Sequence, residues 1–267
     1  MPNRTLTPDD IEAIQQFVIQ ASEQSILPRI CGSKATFKED GSIVTEADLE
    51  MDRCLTALLS SRFPHIPILS EEINAEKQEE ILNSGQDFWC LDPIDGTTNF
   101  HATMPLFSVS LALIRRAEST FGLIFDPVRG EMFTAAKGQG LKINGVSHIR
   151  PTQPATLEQT IAFVDFKRLS MPKRRQLIEN TPYKSQRNIG TCALEWAWLA
   201  AGRSHLLIHG SEKLWDLAAG YRILAESGGI SASIEGNPIS LETLEQQSVL
   251  AASTETLFLQ WSNFIQD

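Results

Sequence analysis

Two carboxylates and a run of hydroxyl side chains follow one apolar stretch near the middle of the chain. Residues 88–100 read Phe-Trp-Cys-Leu-Asp-Pro-Ile-Asp-Gly-Thr-Thr-Asn-Phe, and the first four suit a short buried strand. The carboxylates of Asp92 and Asp95 are hard oxygen ligands of the kind that Mg²⁺ prefers. The N–H groups and hydroxyls after Gly96 suit a phosphate at a helix N-terminus. The stretch therefore predicts a metal ion and a phosphate at one point, unless its Asp-Pro and Asp-Gly pairs are only turns and Thr97 only a helix cap.

Three further acidic motifs stand where predicted elements begin or end. A Val-Thr-x-x-Asp motif closes on Asp48, Glu71 and Glu72 follow a short apolar run, and Asp216 opens a helical segment. Asp48 and Asp216 each have an ordinary interpretation as acids that stabilise a helix N-terminus, and the Glu-Glu pair could be a solvated turn. The position of Glu71 favours chemistry, because it ends a strand as Asp92 does, and sites gather at the carboxyl ends of parallel strands.

Taken in order, these motifs resemble those of the inositol monophosphatase family, which are Mg²⁺-dependent, lithium-sensitive phosphatases. Asp-Pro-Ile-Asp-Gly-Thr-Thr at 92–98 and Trp-Asp-x-Ala-Ala at 215–219, followed by Gly-Gly at 228–229, are specific for the family, whereas the other two motifs are weak alone. The resemblance spans most of the chain. It implies a layered αβαβα sandwich, with an N-terminal α+β part and a C-terminal α/β part.

The resemblance also implies a role for each motif residue. The oxygen ligands for two or three Mg²⁺ would be Glu71, Asp92, Asp95, Asp216 and the carbonyl of Ile94. Glu71 and Thr97 would direct a water at phosphorus in line, with Asp48 holding the Thr97 hydroxyl. The backbone N–H groups of Gly96 and Thr97 would hold the phosphoryl oxygens.

Substrate contacts are implied for Asp95, for the segment Gly190, Thr191 and Cys192, and for His209. The family has an acid seven positions before the Trp-Asp aspartate, so His209 is a departure that could change which polyol or amine fits. Its ordinary interpretation is a surface turn beside Gly210. Inositol monophosphate is the leading substrate. Histidinol phosphate, a sugar bisphosphate and a 3′,5′-bisphosphorylated nucleoside are the alternatives, because similar scaffolds serve them all.

A regulatory or binding protein that keeps the fold without the chemistry is the alternative from another class. Such a protein would be expected to have a broken ligand set, whereas every expected ligand is present here. The family resemblance further implies a homodimer. No sequence feature indicates the interface.

Composition limits the other classes of function. The chain has 267 residues, of which 42% are hydrophobic and 21% charged, and its net charge is −10. This acidity argues against nonspecific nucleic-acid binding and against a polybasic membrane contact. The four cysteines are widely spaced, which argues against a zinc site and a disulfide scaffold and fits a reducing compartment. With no signal-like or membrane-length apolar run, the sequence predicts a cytoplasmic protein.

Local patterns place the elements around these motifs. Thr7 and Pro8 predict a helix start, and Pro28 its end. Strands predicted near 105–114, 121–126 and 131–136 indicate a meandering sheet, and alternating strands and helices follow. The Pro-rich stretch at 151–154 is the best boundary, dividing the chain into a metal-binding part, 1–150, and an α/β part, 151–267, that completes the site.

Overall fold

Both long N-terminal helices begin at a threonine whose side chain caps them. The computed structural model describes residues 5–30, 35–37 and 43–266; Cys31 and the predicted turn at 40–42 lie outside them. The Thr7 hydroxyl accepts the N–H of Asp10 at 3.2 Å, and the Asp10 carboxylate accepts the N–H of Thr7 at 3.0 Å. Thr45 and Asp48 form the same reciprocal pair. Because each pair satisfies two N–H groups that a helix leaves unbonded, the predicted helix starts are confirmed.

The described residues form the following elements. The helices are α1 Pro8–Ser25, α2 Glu46–Arg62, α3 Ala75–Asn83, α4 Thr97–His101, α5 Met171–Glu179, α6 Cys192–Ala200, α7 Leu214–Glu226 and α8 Glu255–Gln266, with short 3₁₀ turns at Leu27–Arg29 and Leu157–Gln159. The strands are β1 Ala35–Phe37, β2 Ile43–Thr45, β3 Ile68–Ser70, β4 Phe88–Asp95, β5 Ser108–Arg115, β6 Glu118–Asp126, β7 Glu131–Ala136, β8 Leu141–Ile143, β9 Val146–Ser147, β10 Ile161–Val164, β11 Ser185–Arg187, β12 Leu206–Glu212, β13 Ile230–Ala232 and β14 Gln247–Ala252. Strand β11 and the pairing of β1 with β2 were not predicted.

The larger sheet has seven strands in chain order, β3 to β9. Only β3 and β4 run parallel, and the other neighbours are antiparallel, as the predicted meander requires. Side chains of β4 alternate between the two faces. Trp89 and Leu91 pack with α1 and α2 through Ile14 and Leu55, whereas Cys90 faces the layer of α6 and α7.

The smaller sheet has five strands in the order β11-β10-β12-β14-β13, of which the first three run parallel. Leu207 and Val249 face α6 and α7, and Leu206 and Leu250 face α5 and α8. The layers are therefore helices, seven-stranded sheet, helices, five-stranded sheet, helices. This is the layered αβαβα sandwich that the family resemblance implies, so the predicted fold class is confirmed.

The central helix layer joins the two parts of the chain. One hydrophobic cluster contains Cys90 and Phe133 of the larger sheet, Trp196 and Leu217 of the central helices, and Leu207 of the smaller sheet. The Pro-rich stretch at 151–154 lies in the connection between the two sheets. The division into 1–150 and 151–267 stays a prediction. Among the described residues, none of the helices is both long enough and apolar enough to pass through a bilayer.

Two element boundaries differ from the sequence expectation. Helix α1 ends at Ser25, before Pro28, which lies in a 3₁₀ turn. The turn suggested by the sequence at His209 and Gly210 is instead part of β12, which pairs with β14 beyond Gly210 through an irregular register. His209 therefore lies in a buried strand and not in a surface turn.

Candidate active site

The parallel pairing of β3 and β4 brings their acidic ends together. Ser70 pairs with Leu91, and the backbone N–H of Glu71 donates to the Leu91 carbonyl at 3.1 Å. Glu71 thus leaves β3 next to Asp92 of β4. The structure therefore places these two predicted site residues at one sheet edge. Burial raises the pKa of Asp92, and the nearby charge of Glu71 raises it further.

A bulge makes the two acids of β4 converge. Residues three apart on a regular strand point to opposite faces. Here the pairing of β4 with β5 shifts register between Asp92 and Asp95, and the Ile94 N–H donates to the Asp92 carboxylate at 3.1 Å. The one extra residue in β4 turns both carboxylates toward one point.

The third acid of this cluster, Asp216, comes from the first turn of α7. The Asp216 carboxylate accepts the N–H of Lys213 at 2.9 Å, which caps the helix. The Ser110 hydroxyl donates to the Trp215 carbonyl at 3.0 Å and fixes the first turn against β5. One carboxylate oxygen from each of Asp92, Asp95 and Asp216 lies within 4.8 Å of the other two.

Burial and mutual repulsion disfavour the ionised form of these carboxylates. Burial raises the pKa of Asp92 well above its ordinary value, and the charges of Glu71, Asp95 and Asp216 raise it further. Burial, together with Asp95 and Glu71, raises the pKa of Asp216 to about 7. Such a set of hard oxygen donors fits Mg²⁺, whose charge would offset the repulsion. The Ile94 carbonyl oxygen lies beside them, 3.0 Å from the Thr97 hydroxyl oxygen.

The Thr97 hydroxyl connects the acidic centre, formed by Asp92, Asp95 and Asp216, to Asp48 of α2. Its oxygen lies 3.1 Å from Asp48 Oδ1, while the Thr45 N–H donates to the other oxygen of Asp48 at 2.8 Å. Gly96, at φ +92°, precedes α4 in the left-handed region. A Cβ at Gly96 would lie 3.1 Å from both the Leu106 carbonyl oxygen and the Thr191 side chain, so the close approach favours glycine.

The segment at 190–192 supports Asp95. The Thr191 hydroxyl and the Ala193 N–H both donate to Asp95 Oδ2, the latter at 2.7 Å. Burial raises the pKa of Asp95 to about 6, although these two hydrogen bonds lower it. Asn99, which the sequence analysis missed, donates to the Ile189 carbonyl at 2.7 Å and so fastens this segment to α4.

His209 lies on the floor of the same region. Its Nε2 atom is 3.0 Å from Asp165 Oδ2 and 3.7 Å from Cys192 Sγ, and its Nδ1 atom is 3.7 Å from Glu212 Oε1. Burial lowers the pKa of His209, but the hydrogen bond to Asp165 and the charges of Glu212 and Asp165 outweigh it, so the net pKa is raised. Glu195 completes the group, and burial raises its pKa to about 8.

One cleft of about 590 Å³ contains the predicted site. All the predicted site residues except Asp48 line this cleft: Glu71, Asp92, Ile94, Asp95, Gly96, Thr97, Gly190, Thr191, Cys192, His209 and Asp216. Asp48 contacts the Thr97 hydroxyl, which in turn lines the cleft. The sequence analysis missed Asp165, Arg168, Glu195 and Glu212. None of these four carries a local signal, because each reaches the site only through the packing of its strand, loop or helix.

Comparison with known proteins identifies the family. The model of the inositol monophosphatase family matches residues 11–264. The chain belongs to the inositol monophosphatase family. A Thermotoga maritima protein named fructose-1,6-bisphosphatase/inositol-1-monophosphatase is 34% identical over 209 residues, which cover 76% of this chain and 75% of that protein. A Pasteurella multocida protein named Nus factor SuhB is 31% identical over 209 residues, 76% of each chain.

Solved structures of the family share the fold. One of an IMPase/NADP phosphatase in complex with Mg²⁺ and phosphate has a TM-score of 0.81 and 20% identity, covering 95% of this chain and 92% of that one. With the family established, the phosphatase scaffold and the capacity to bind metal ions follow for this chain.

Proposed function

We propose that this chain is a Mg²⁺-dependent phosphomonoesterase that acts on a small phosphorylated polyol, with inositol monophosphate as the leading substrate. The observation that carries the proposal is the convergence of Asp92, Asp95 and Asp216 within 4.8 Å, beside the Thr97 hydroxyl. Family relatives named as inositol monophosphatases support it. Two or three Mg²⁺, a homodimer, a cytoplasmic location and lithium sensitivity stay predictions of the family resemblance.

The protein groups divide the work of phosphate-ester hydrolysis. Bound Mg²⁺ supplies Lewis acidity toward phosphoryl and water oxygens. The N–H groups of Gly96 and Thr97, at the start of α4, would bind phosphoryl oxygens, because the first N–H groups of a helix have no partner within it. The Thr97 hydroxyl, held by Asp48, and the Glu71 carboxylate would orient the attacking water. The chemistry needs no serine, cysteine or histidine nucleophile.

A specific observation favours a second substrate class. Lys167, Arg168 and Lys213 line the cleft together with the polar residues around His209. Cationic groups at this side suit a leaving group that carries a second anionic group, such as a sugar bisphosphate. The Thermotoga relative, whose name includes both fructose-1,6-bisphosphatase and inositol-1-monophosphatase, supports this candidate.

The name of the Pasteurella relative, Nus factor SuhB, keeps a regulatory role as the alternative from another class. That alternative makes no use of the acidic ligand set. The intact set of Glu71, Asp92, Asp95 and Asp216 favours an enzyme, because buried like charges are costly to keep without a function. An active phosphatase that also has a regulatory role would agree with both the intact ligand set and the name of the Pasteurella relative.

The test is phosphate release from a panel of substrates with Mg²⁺. The panel contains inositol monophosphate, histidinol phosphate, fructose bisphosphate and a 3′,5′-bisphosphorylated nucleoside. We expect release from one or more of them, loss in EDTA, and loss in Asp92→Asn but not in Glu79→Gln, a change on the exposed face of α3. Silence across the panel, or release that survives EDTA and Asp92→Asn, would contradict the proposal.

A further inference from the structure

The turn that carries Glu71 follows an edge strand of the larger sheet. Among the described strands, β3 pairs with β4 alone, so no second strand holds its other side. Gln78 of α3 takes that place, because its side-chain amide donates to the Ser70 carbonyl at 2.8 Å and both residues are buried. The N–H of Glu71 donates in the opposite direction, to the Leu91 carbonyl. The backbone is therefore held on both sides at the end of β3.

The Ser70 side chain holds the turn itself. Its hydroxyl oxygen accepts the N–H of Glu72 at 3.2 Å, a local hydrogen bond that closes the turn over Glu71. The same hydroxyl donates its proton to Asp52 Oδ1 of α2. A hydroxyl has one proton and two lone pairs, so the bond to Asp52 leaves a lone pair for the Glu72 N–H. Because Ser70 is fully buried, water does not compete for these two hydrogen bonds.

Asp52 has no other evident role in α2. In the part of the chain that the structure describes, its carboxylate forms no ion pair, and its side-chain hydrogen bond is the one from Ser70. Burial raises the pKa of Asp52, although the bond from Ser70 lowers it in part. Aspartate also favours a helix interior less than alanine does. Neither helix stability nor charge pairing therefore accounts for an acid at this position, whereas the contact with Ser70 does.

Asp48 and Asp52 lie one helical turn apart on the same side of α2. Each carboxylate accepts from or contacts a hydroxyl that belongs to another element: Asp48 contacts Thr97, and Asp52 contacts Ser70. Thr97 is the first residue of α4, and Ser70 precedes Glu71. One side of α2 thus supports the two places from which Thr97 and Glu71 enter the cleft.

We propose that Asp52 is a positioning residue that acts through the Ser70 hydroxyl to hold Glu71 at the acidic centre. This role rests on the proposed function, in which Glu71 would bind Mg²⁺ and direct the attacking water. Asp52 itself does not line the cleft. Residues that support a metal ligand without touching the metal typically change metal affinity or activity by about 10–100-fold when they are removed. Loss of Asp52 or of the Ser70 hydroxyl should therefore weaken Mg²⁺ binding.

Mg²⁺ titration calorimetry of the full chain, stripped of metal with a chelator, tests this role without reference to catalysis. We expect Asp52→Ala and Ser70→Ala each to weaken Mg²⁺ binding by about tenfold or more. Asp52→Asn keeps an oxygen that can accept from Ser70, so its affinity should stay within about threefold of the wild type. The double variant Asp52→Ala/Ser70→Ala should bind no more weakly than Ser70→Ala, because both changes remove the same interaction.

Glu50→Ala is the matched control. It removes a carboxylate of the same helix that pairs with the exposed Arg53, and it should bind Mg²⁺ as the wild type does. All variants are compared as folded proteins, checked by thermal unfolding in EDTA. Wild-type affinity in Asp52→Ala would overturn the positioning role. Equal weakening in Asp52→Ala and Asp52→Asn would overturn it as well, because charge alone would then explain the effect.

Phosphate release from the substrate panel separates this role from the proposed function. At saturating Mg²⁺, Asp52→Ala should lower kcat about tenfold and leave KM nearly unchanged, because Glu71 would direct water and not hold the substrate. A silent wild type with the expected order of Mg²⁺ affinities would reject the proposed function and support the positioning of Glu71 by Asp52. An active wild type with unchanged Mg²⁺ affinity in Asp52→Ala would support the proposed function and overturn the positioning role.

Discussion

The Thr97 hydroxyl oxygen lies 3.1 Å from Asp48 Oδ1, although the two residues are 49 positions apart in the chain. Asp48 cannot turn away, because its other oxygen accepts the backbone N–H of Thr45 at 2.8 Å. The capping box of α2 therefore does two things: it starts a helix, and it holds a carboxylate that positions a hydroxyl at the acidic centre. The motif at 45–48 serves stability and the site together.

Removing the Thr97 hydroxyl should therefore lower phosphatase activity without unfolding the protein. We expect Thr97→Val to lower kcat by about 10²-fold, the range typical of a lost group that handles a proton or positions water. Thr97→Ser keeps the hydroxyl and is the matched control, with activity within a few-fold of the wild type. Steady-state kinetics and thermal unfolding of both variants would check this. Equal activity of Thr97→Val and Thr97→Ser would show that the hydroxyl is not used.

Helix α7 should lose its place on the larger sheet when Gly122 gains a methyl group. A Cβ at Gly122 would lie 2.5 Å from the Ala219 carbonyl oxygen in α7, so the helix must shift. We expect Gly122→Ala to lower the free energy of unfolding by about 1–3 kcal/mol. Because α7 begins with Asp216, Mg²⁺ affinity should fall as well.

The control for this change is Gly130→Ala. Gly130 has φ +61° and open space around it, so alanine there costs about 1–2 kcal/mol of backbone strain but displaces no neighbouring element. Urea unfolding and Mg²⁺ titration calorimetry would compare the two variants. Unchanged Mg²⁺ affinity in a folded Gly122→Ala protein would contradict the link between this contact and Asp216.

Much of the architecture could be predicted from local patterns. The helix starts at Thr7 and near Asp48, the strand at 88–91 and the meander at 108–136 follow from side-chain periodicity and turn residues, which are properties of neighbouring positions. The meeting of Glu71 with Asp92 also followed, because parallel strands share an edge. These predictions needed no knowledge of long-range packing.

The rest could not be predicted because it depends on register. Pro93 and Gly210 indicate irregular positions within their strands, but no local pattern indicates that the register shifts between Asp92 and Asp95, and between His209 and Glu212, aim side chains at the site. Glu195 shows the same limit. A glutamate in a helix is usually exposed, but α6 lies between the two sheets, so Glu195 is buried.

Buried Glu195 should make stability depend on pH. Burial raises its pKa from 4.5 to about 8 in the folded protein, while its carboxylate still accepts the Ile189 N–H at 2.9 Å. Between these two values the folded state holds a proton that the unfolded state has lost. Its contribution to stability is therefore fully present below pH 4.5 and is lost as the pH rises toward 8, by at most about 1.4 kcal/mol per pH unit.

Glu195→Gln should remove this loss, because glutamine can accept the same hydrogen bond and does not titrate. Urea unfolding from pH 5 to pH 8 would compare it with the wild type and with Glu12→Gln, a change at an exposed position of α1. We expect the difference in unfolding free energy between wild type and Glu195→Gln to move in favour of the variant as the pH rises. A difference that stays constant over this range would show that Glu195 is ionised throughout.

Arg168 should distinguish the two substrate classes. Its guanidinium lines the cleft 3.2 Å from His209 Nε2 and is about half exposed, so it can reach a second anionic group on the leaving group. If bisphosphates bind there, Arg168→Ala should lower kcat/KM for fructose bisphosphate about tenfold, since a charge-assisted hydrogen bond is worth roughly 1.5–3 kcal/mol. The value for inositol monophosphate should change much less. Arg53→Ala, an exposed arginine on α2, is the control and should alter neither. An equal fall for both substrates would instead place the effect of Arg168 on His209, which both leaving groups would contact.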